Sequence, residues 1–197
     1  MVQKVRLVFG IAGIAALIAL AFYAHNYLSG RVGEEAITEL IEEQAAVVRE
    51  EDPEEKLPAP DFEMTDLEGA TLRLSDLMGR PIVLTFWASW CSSCNAQNPV
   101  FEEAYSQLGG EVQFVMLNLT DPFREPKETA IRYVEENGYT FPVFFDDFNQ
   151  AGATAYGIRF IPTTVFIDSE GNVRAISQSA MNESALMRGI ELITIDN

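Results

Sequence analysis

Pro81-Ile82-Val83-Leu84-Thr85-Phe86-Trp87 is a nearly unbroken apolar run, rich in β-branched and aromatic residues. Strand side chains alternate between two faces, so a strand of this composition is apolar on both. It must lie inside a sheet that is covered above and below. Val112–Leu119 has the same texture and predicts a second buried strand. Helical patterns are interleaved with these strands. Cys94–Leu108 reads as a helix closed by Gly109-Gly110, and Pro126–Asn137 as one that stops at Asn137-Gly138. Phe141–Phe145 reads as a short strand and Asn149–Tyr156 as a short helix ending at Gly157. Thr163–Asp168 and Asn172–Ser179 form a hairpin around Ser169-Glu170-Gly171, and Met181-Asn182-Glu183 opens a last helix that runs toward Asp196. Upstream, Phe62–Thr65 and Thr71–Leu74 flank the turn signal Asp66-Leu67-Glu68-Gly69, and Ser75-Asp76-Leu77 caps a short helix. The expected class over residues 58–197 is α/β: one central sheet flanked by helices, with an N-terminal β-hairpin.

The N-terminal segment obeys a different solvent. Residues 7–24 are uncharged and apolar, from Leu7 to Ala24. A membrane span needs about 20 apolar residues, and residues 5–24 supply that length if Arg6 snorkels to the surface. Lys4 and Arg6 precede the run and glutamates follow it, which places the N-terminus in the cytoplasm and the rest outside. A cleaved signal peptide is the competing reading, because Ala19-Leu20-Ala21 and Ala21 to Ala24 offer small residues. A signal core is typically about 7–15 apolar residues, shorter than this one. The expected organisation is a cytoplasmic tip (1–6), a transmembrane signal-anchor helix (7–28), an acidic helical stalk or linker (29–57) and the folded domain (58–197). In the stalk, Ile37, Leu40, Ile41, Ala45 and Val48 recur at helical spacing, too briefly for a firm coiled coil. The acidic, proline-rich stretch Glu50–Pro60 reads as an extended, self-repelling linker.

Charge and composition exclude several classes. The formal net charge is −17, and residues 34–56 hold ten carboxylates against two cations. No stretch is basic enough to neutralise a phosphate backbone, so nucleic acid is excluded as a partner. At 48% hydrophobic residues the chain can build a core. It has one histidine, His25, and two cysteines, Cys91 and Cys94, too few for a four-ligand structural zinc site.

The chemistry sits at Trp90-Cys91-Ser92-Ser93-Cys94, between the buried strand and a helix. That placement points the first free amides of the helix at the Cys91 sulfur, and the helix dipole favours a thiolate there. A free thiol has a pKa of about 8.5, and such motifs lower it by one to several units. The thiolate attacks in disulfide exchange, which makes Cys91 the candidate nucleophile. Cys94, one turn inside the helix, is the candidate resolving thiol and the more buried of the two.

Residues 58–197 resemble the thioredoxin fold, and specifically the membrane-anchored TlpA/ResA-type thiol–disulfide oxidoreductases. The matching residues are Pro60-Asp61-Phe62, Leu74-Ser75-Asp76-Leu77, Gly79-Arg80-Pro81, Phe86-Trp87-Ala88-Ser89-Trp90-Cys91-Ser92-Ser93-Cys94, Pro99, Gly157-Ile158-Arg159-Phe160-Ile161-Pro162-Thr163-Thr164 and Asp168-Ser169-Glu170-Gly171. The resemblance implies a cis Ile161–Pro162 bond beside the sulfurs, against the trans bond that is commoner for proline. Such a bond would leave the backbone of Ile161 free to pair with an extended substrate. Trp90 would shield the site, and with Ile161 and Pro162 it is a candidate substrate-binding residue. The resemblance also implies disulfide-bearing exported substrates, an integral-membrane thiol electron donor, residence at the cytoplasmic (inner) membrane with the domain on its outer side, and a role in cytochrome c maturation. No cofactor is expected beyond the Cys91–Cys94 pair, and no metal.

Three positions depart from the family pattern. Thr85 stands where thioredoxins often bury an aspartate, Gln97 where ResA-like proteins carry a glutamate, and Ser93 where proline is common. Neither Thr85 nor Gln97 can serve as a general base, so the proton-handling group is unassigned. A peroxiredoxin is the alternative enzyme, but the positions three and seven before Cys91 are Ala88 and Leu84 rather than threonine and proline. A copper-binding or copper-delivery module is the non-enzymatic alternative, since soft thiolates suit Cu(I). A static disulfide in a binding scaffold is a third.

Overall fold

Residues Glu63–Thr65 (β1) and Thr71–Arg73 (β2) form the expected antiparallel hairpin, with Met64 opposite Leu72. The structure is a computed structural model that describes Leu20, Tyr23 and residues 57–146 and 149–195. The expected membrane segment and stalk lie outside the described residues, apart from Leu20, Tyr23 and Leu57. The chain divides into two units, residues 1–46 and 47–197, and the sheet and its helices belong to the second.

After the hairpin, Leu74–Leu77 makes one 3-10 turn, whose start is capped by the Asp76 carboxylate on the Arg73 amide. The chain continues through Ile82–Trp87 (β3), Ser92–Leu108 (α1), Gln113–Asn118 (β4), Lys127–Asn137 (α2), Val143–Phe145 (β5), Ala151–Ala155 (α3), Thr163–Ile167 (β6), Val173–Ser177 (β7) and Glu183–Thr194 (α4). The strands form one mixed sheet in the order β2-β1-β5-β4-β3-β6-β7. β3 runs parallel to β4 and antiparallel to β6, so Thr85 lies opposite Met116 on one side and Thr164 on the other.

Every residue of β3 is buried, as its two-sided apolar pattern requires. Val83 and Trp87 face a cluster that includes Phe101 of α1, Val134 of α2 and Ile190 of α4. Ile82, Leu84 and Phe86 face the opposite cluster with Phe62 and Ala153 of α3. The sheet is thus covered on both faces, and the two cysteines belong to the first cluster.

Local signals set the ends of the elements. α1 begins two residues before the expected Cys94, because the sulfur of Cys91 itself caps it. α2 stops where Gly138 takes a left-handed φ of 68°, open to glycine at little steric cost. α4 starts at the Asn182 side chain, which accepts the Ala185 amide at 2.9 Å. Asp61 of the Pro60-Asp61-Phe62 motif accepts from Arg73 Nε at 2.7 Å and from the Ser75 amide and hydroxyl at 3.0 and 3.1 Å. Partial burial works to raise its pKa, but these donors outweigh burial and hold it below the usual carboxylate value. The tie therefore stabilises the fold above the unfolded-state value and is lost as pH falls through the depressed folded-state one.

α4 lies so close to the sheet that a Cβ at Gly189 would overlap the ring of Phe166, itself fully buried in β6. Gly189→Ala is expected to lower the unfolding free energy by about 2 kcal/mol, read from urea titrations of the full chain, because the ring has no free space to move into.

Candidate active site

β3 ends at Trp87, whose carbonyl accepts the Leu119 amide at 2.9 Å, and a short turn then carries the chain into α1. Ala88 is buried in that turn, and its carbonyl accepts the Cys91 amide at 3.2 Å. Cys91 has an extended backbone, the usual state of a residue that precedes a helix. The amide of Cys94 donates to Cys91 Sγ at 3.1 Å. Cys91 and Cys94 form a disulfide with their Cα atoms 5.2 Å apart. Cys94 is fully buried while Cys91 keeps 7% exposure, so one sulfur-bearing residue reaches solvent and the other does not.

The segment before β6 closes the other side. The Ile161–Pro162 bond is cis, and the Ile161 carbonyl oxygen lies 3.7 Å from Cys91 Sγ. Thr163 Oγ1 donates to the Phe160 carbonyl at 2.7 Å and holds this turn. Trp90 is half exposed, with the Arg124 guanidinium 4.0 Å from its ring centre. The structure therefore brings Trp90, Cys91, Cys94, Ile161 and Pro162 to one place, at the ends of β3 and β6.

The two positions where the family pattern puts a carboxylate are neutral and buried. Thr85 is buried and its hydroxyl lies 3.2 Å from that of Thr164. Gln97 is buried as well, with its Oε1 accepting the Met181 amide at 3.2 Å and its Nε2 without a partner among the described residues. Neither position offers a carboxylate to take the proton of Cys94.

A carboxylate does support the turn, and from a direction the sequence does not indicate. Glu125 is fully buried. Its Oε1 accepts from the Ser89 amide and from Asn118 Nδ2, both at 2.7 Å, and its Oε2 accepts from the Ser89 hydroxyl at 2.7 Å. Asn95 Nδ2 donates to the Ser89 carbonyl at 3.0 Å. Ser89 is thus held on three sides, two residues before Cys91. In sequence Glu125 is one of thirty acidic residues and sits in a polar loop, so nothing marks it as buried. Nearby, Asp121 is held below the usual carboxylate pKa by the Arg124 and Phe123 amides that its side chain accepts.

Residues 56–176 match the AhpC/TSA family. Among curated proteins, the chain is 36% identical over 137 residues to the thiol-disulfide oxidoreductase ResA of Geobacillus thermodenitrificans, covering 68% of this chain and 75% of that protein. It is 32% identical over 136 residues to ResA of Bacillus subtilis, covering 68% and 73%. The chain belongs to the TlpA/ResA-type thioredoxin-like proteins. It is a thiol–disulfide oxidoreductase. Among solved structures, StoA from Bacillus subtilis superposes with a TM-score of 0.58 at 25% identity, over 69% of this chain and 99% of that one. With Thr85 and Gln97 neutral, Glu125 is, among the described residues, the buried carboxylate tied to the turn before Cys91.

Removing that carboxylate leaves three donors without an acceptor, the buried Asn118 Nδ2 and the part-buried Ser89 amide and hydroxyl. Glu125→Ala is expected to cost about 3 kcal/mol of stability in urea unfolding of the oxidised protein, on the scale of lost charge-assisted hydrogen bonds. An effect within experimental error would mean that the turn is held by other contacts.

Proposed function

We propose that this protein is a membrane-tethered reductant of disulfides in exported proteins. The observation that carries the reading is Cys91 Sγ at the start of α1, receiving the Cys94 amide and facing the Ile161 carbonyl. In the reduced state the same amide and the helix dipole favour the Cys91 thiolate.

Cys91 is the nucleophile. Its thiolate attacks one sulfur of a substrate disulfide, the substrate S–S bond breaks, and the departing substrate thiolate takes up a proton. A mixed disulfide between Cys91 and the substrate remains. Cys94 then loses its proton and attacks Cys91 Sγ, which releases the second substrate thiol and restores the Cys91–Cys94 disulfide. Two electrons have passed to the substrate. Trp90, Ile161 and Pro162 form the docking edge, and the Ile161 backbone pairs with an extended substrate segment. The exchange needs no cofactor, since the electrons travel on the two sulfurs.

The apolar run 7–24, with Lys4 and Arg6 before it, supports a single-pass anchor at the cytoplasmic membrane with the domain outside. An accessible cysteine pair there stays oxidised unless it is re-reduced, so an integral-membrane thiol donor is part of the proposal. Cytochrome c maturation, with its need for reduced cysteines outside the membrane, is the pathway proposed.

Two variants of the full chain test this. Cys91→Ser is expected to abolish insulin disulfide reduction, and Cys94→Ser to accumulate mixed disulfides with exported proteins in membrane fractions. Activity that survives Cys91→Ser, or capture of cytoplasmic proteins alone, would contradict the reading.

A further inference from the structure

The loop from Asp121 to Glu125 is built more firmly than its length requires. Two backbone hydrogen bonds close it, from the Asp121 amide to the Glu125 carbonyl at 2.9 Å and from the Glu125 amide to the Asp121 carbonyl at 3.1 Å. Asp121 Oδ1 accepts the Phe123 and Arg124 amides at 2.8 and 2.7 Å. Glu125 roots the loop in the turn that carries Cys91. All of this holds up Phe123, which is 91% exposed. A phenylalanine presented to water on a fixed loop contributes nothing to the core.

Phe123 is not alone. Trp90 and Phe160 are 49% and 67% exposed, and they flank the disulfide through their neighbours Cys91 and Ile161. Exposed aromatic side chains beside a reactive pair mark a contact surface, and Phe123 stands on the loop whose Asp121 and Arg124 line the groove there. Next to it runs a groove of about 280 Å³, lined by Trp90, Arg124, Arg159, Phe160 and Ile161 among others. Its charge is opposite to that of the chain, whose formal net charge is −17. Arg124 and Arg159 make no ion pair among the described residues. Asp121 also lines the groove and stays ionised, its Oδ1 accepting its own loop amides and its charge partly offset by Arg124, so the two arginines leave the lining one positive charge in excess.

We propose that this surface selects its protein substrates: it docks an extended segment in which the half-cystine is flanked by an apolar side chain, seated on Phe123 and Phe160, and by an acidic one, facing Arg124 and Arg159. The proposal rests on the exchange reading above and adds the class of substrate. A strongly acidic protein repels acidic partners at long range, so the two arginines supply local attraction at the one place where such a segment must dock. Recognition is by charge and apolar contact, and the exchange at sulfur is unchanged.

The test uses the reduced full chain and three probes. Two are heptapeptides whose cysteine is capped as a pyridyl disulfide, one with Asp and Phe beside it and the other with Lys and Phe. The third is dithiodipyridine, a small neutral disulfide with the same chromophore. Attack on the peptide sulfur releases pyridinethione, and Cys94 then displaces the peptide thiol. The aspartyl peptide is expected to react about threefold faster than the lysyl one at low salt, the scale of an exposed ion pair, and the preference is expected to shrink at high salt. Arg159→Ala is expected to weaken the preference, and the double substitution Arg124→Ala with Arg159→Ala to remove it. Phe123→Ser is expected to lower the rate with both peptides about fivefold relative to the dithiodipyridine rate, the scale of one lost apolar contact. A wild type that reacts with dithiodipyridine, handles both peptides alike and is unaltered in these ratios by any of these substitutions overturns this proposal alone. A wild type inert to dithiodipyridine overturns the exchange reading and this one with it. Self-association that Phe123→Ser abolishes, with no peptide preference, assigns the patch to a second copy of the chain and also overturns it.

Discussion

The hydrogen bond from the Cys94 amide to Cys91 Sγ joins the fold to the chemistry. It exists because a buried strand ends at Trp87 and a helix begins at Ser92, with Cys91 in the capping position between them. In the oxidised protein that amide donates to a disulfide sulfur. In the reduced protein the same amide faces a thiol, and its partial positive charge favours the ionised form over the neutral one. The sheet, the helices packed on both its faces and the cis Ile161–Pro162 segment all place this one sulfur at the surface and its partner beneath it.

Burial divides the labour between the two sulfurs. Cys91 keeps a little exposure, which an incoming disulfide needs. Cys94 has none, so it meets only what Cys91 has already captured. The turn between strand and helix is then fixed from the side by Glu125, through Ser89 and Asn118. Thr85 and Gln97 supply no carboxylate, and Glu125 braces the turn through Ser89. This geometry gives Glu125 a positioning role.

Much of this is legible in the residues, and the reasons differ by element. The two-sided apolar run of β3 and the Gly138 stop of α2 are strong local signals, and both elements lie within a residue or two of their expected ends. The sequence pattern starts α1 two residues late, because a cysteine is not among the usual capping residues and its sulfur takes that role here. The cis bond at Pro162 comes from resemblance, since no local property of Ile161-Pro162 separates cis from trans. Glu125 is invisible in the sequence for a physical reason. Its burial depends on donors from Ser89 and Asn118, which are remote in sequence or on another element, and a lone glutamate in a polar loop carries no pattern. The expected anchor and stalk fall outside the described residues, so their reading rests on composition and charge.

Titration of the Cys91 thiol in the reduced full chain tests the central claim most directly, by following thiolate absorbance or the pH dependence of alkylation. A helix-start sulfur that receives a backbone amide is expected to ionise below about pH 7.5, against about 8.5 for a free cysteine. A value at or above that of a free cysteine would contradict the account, because the strand-to-helix junction would then do nothing for the reacting atom.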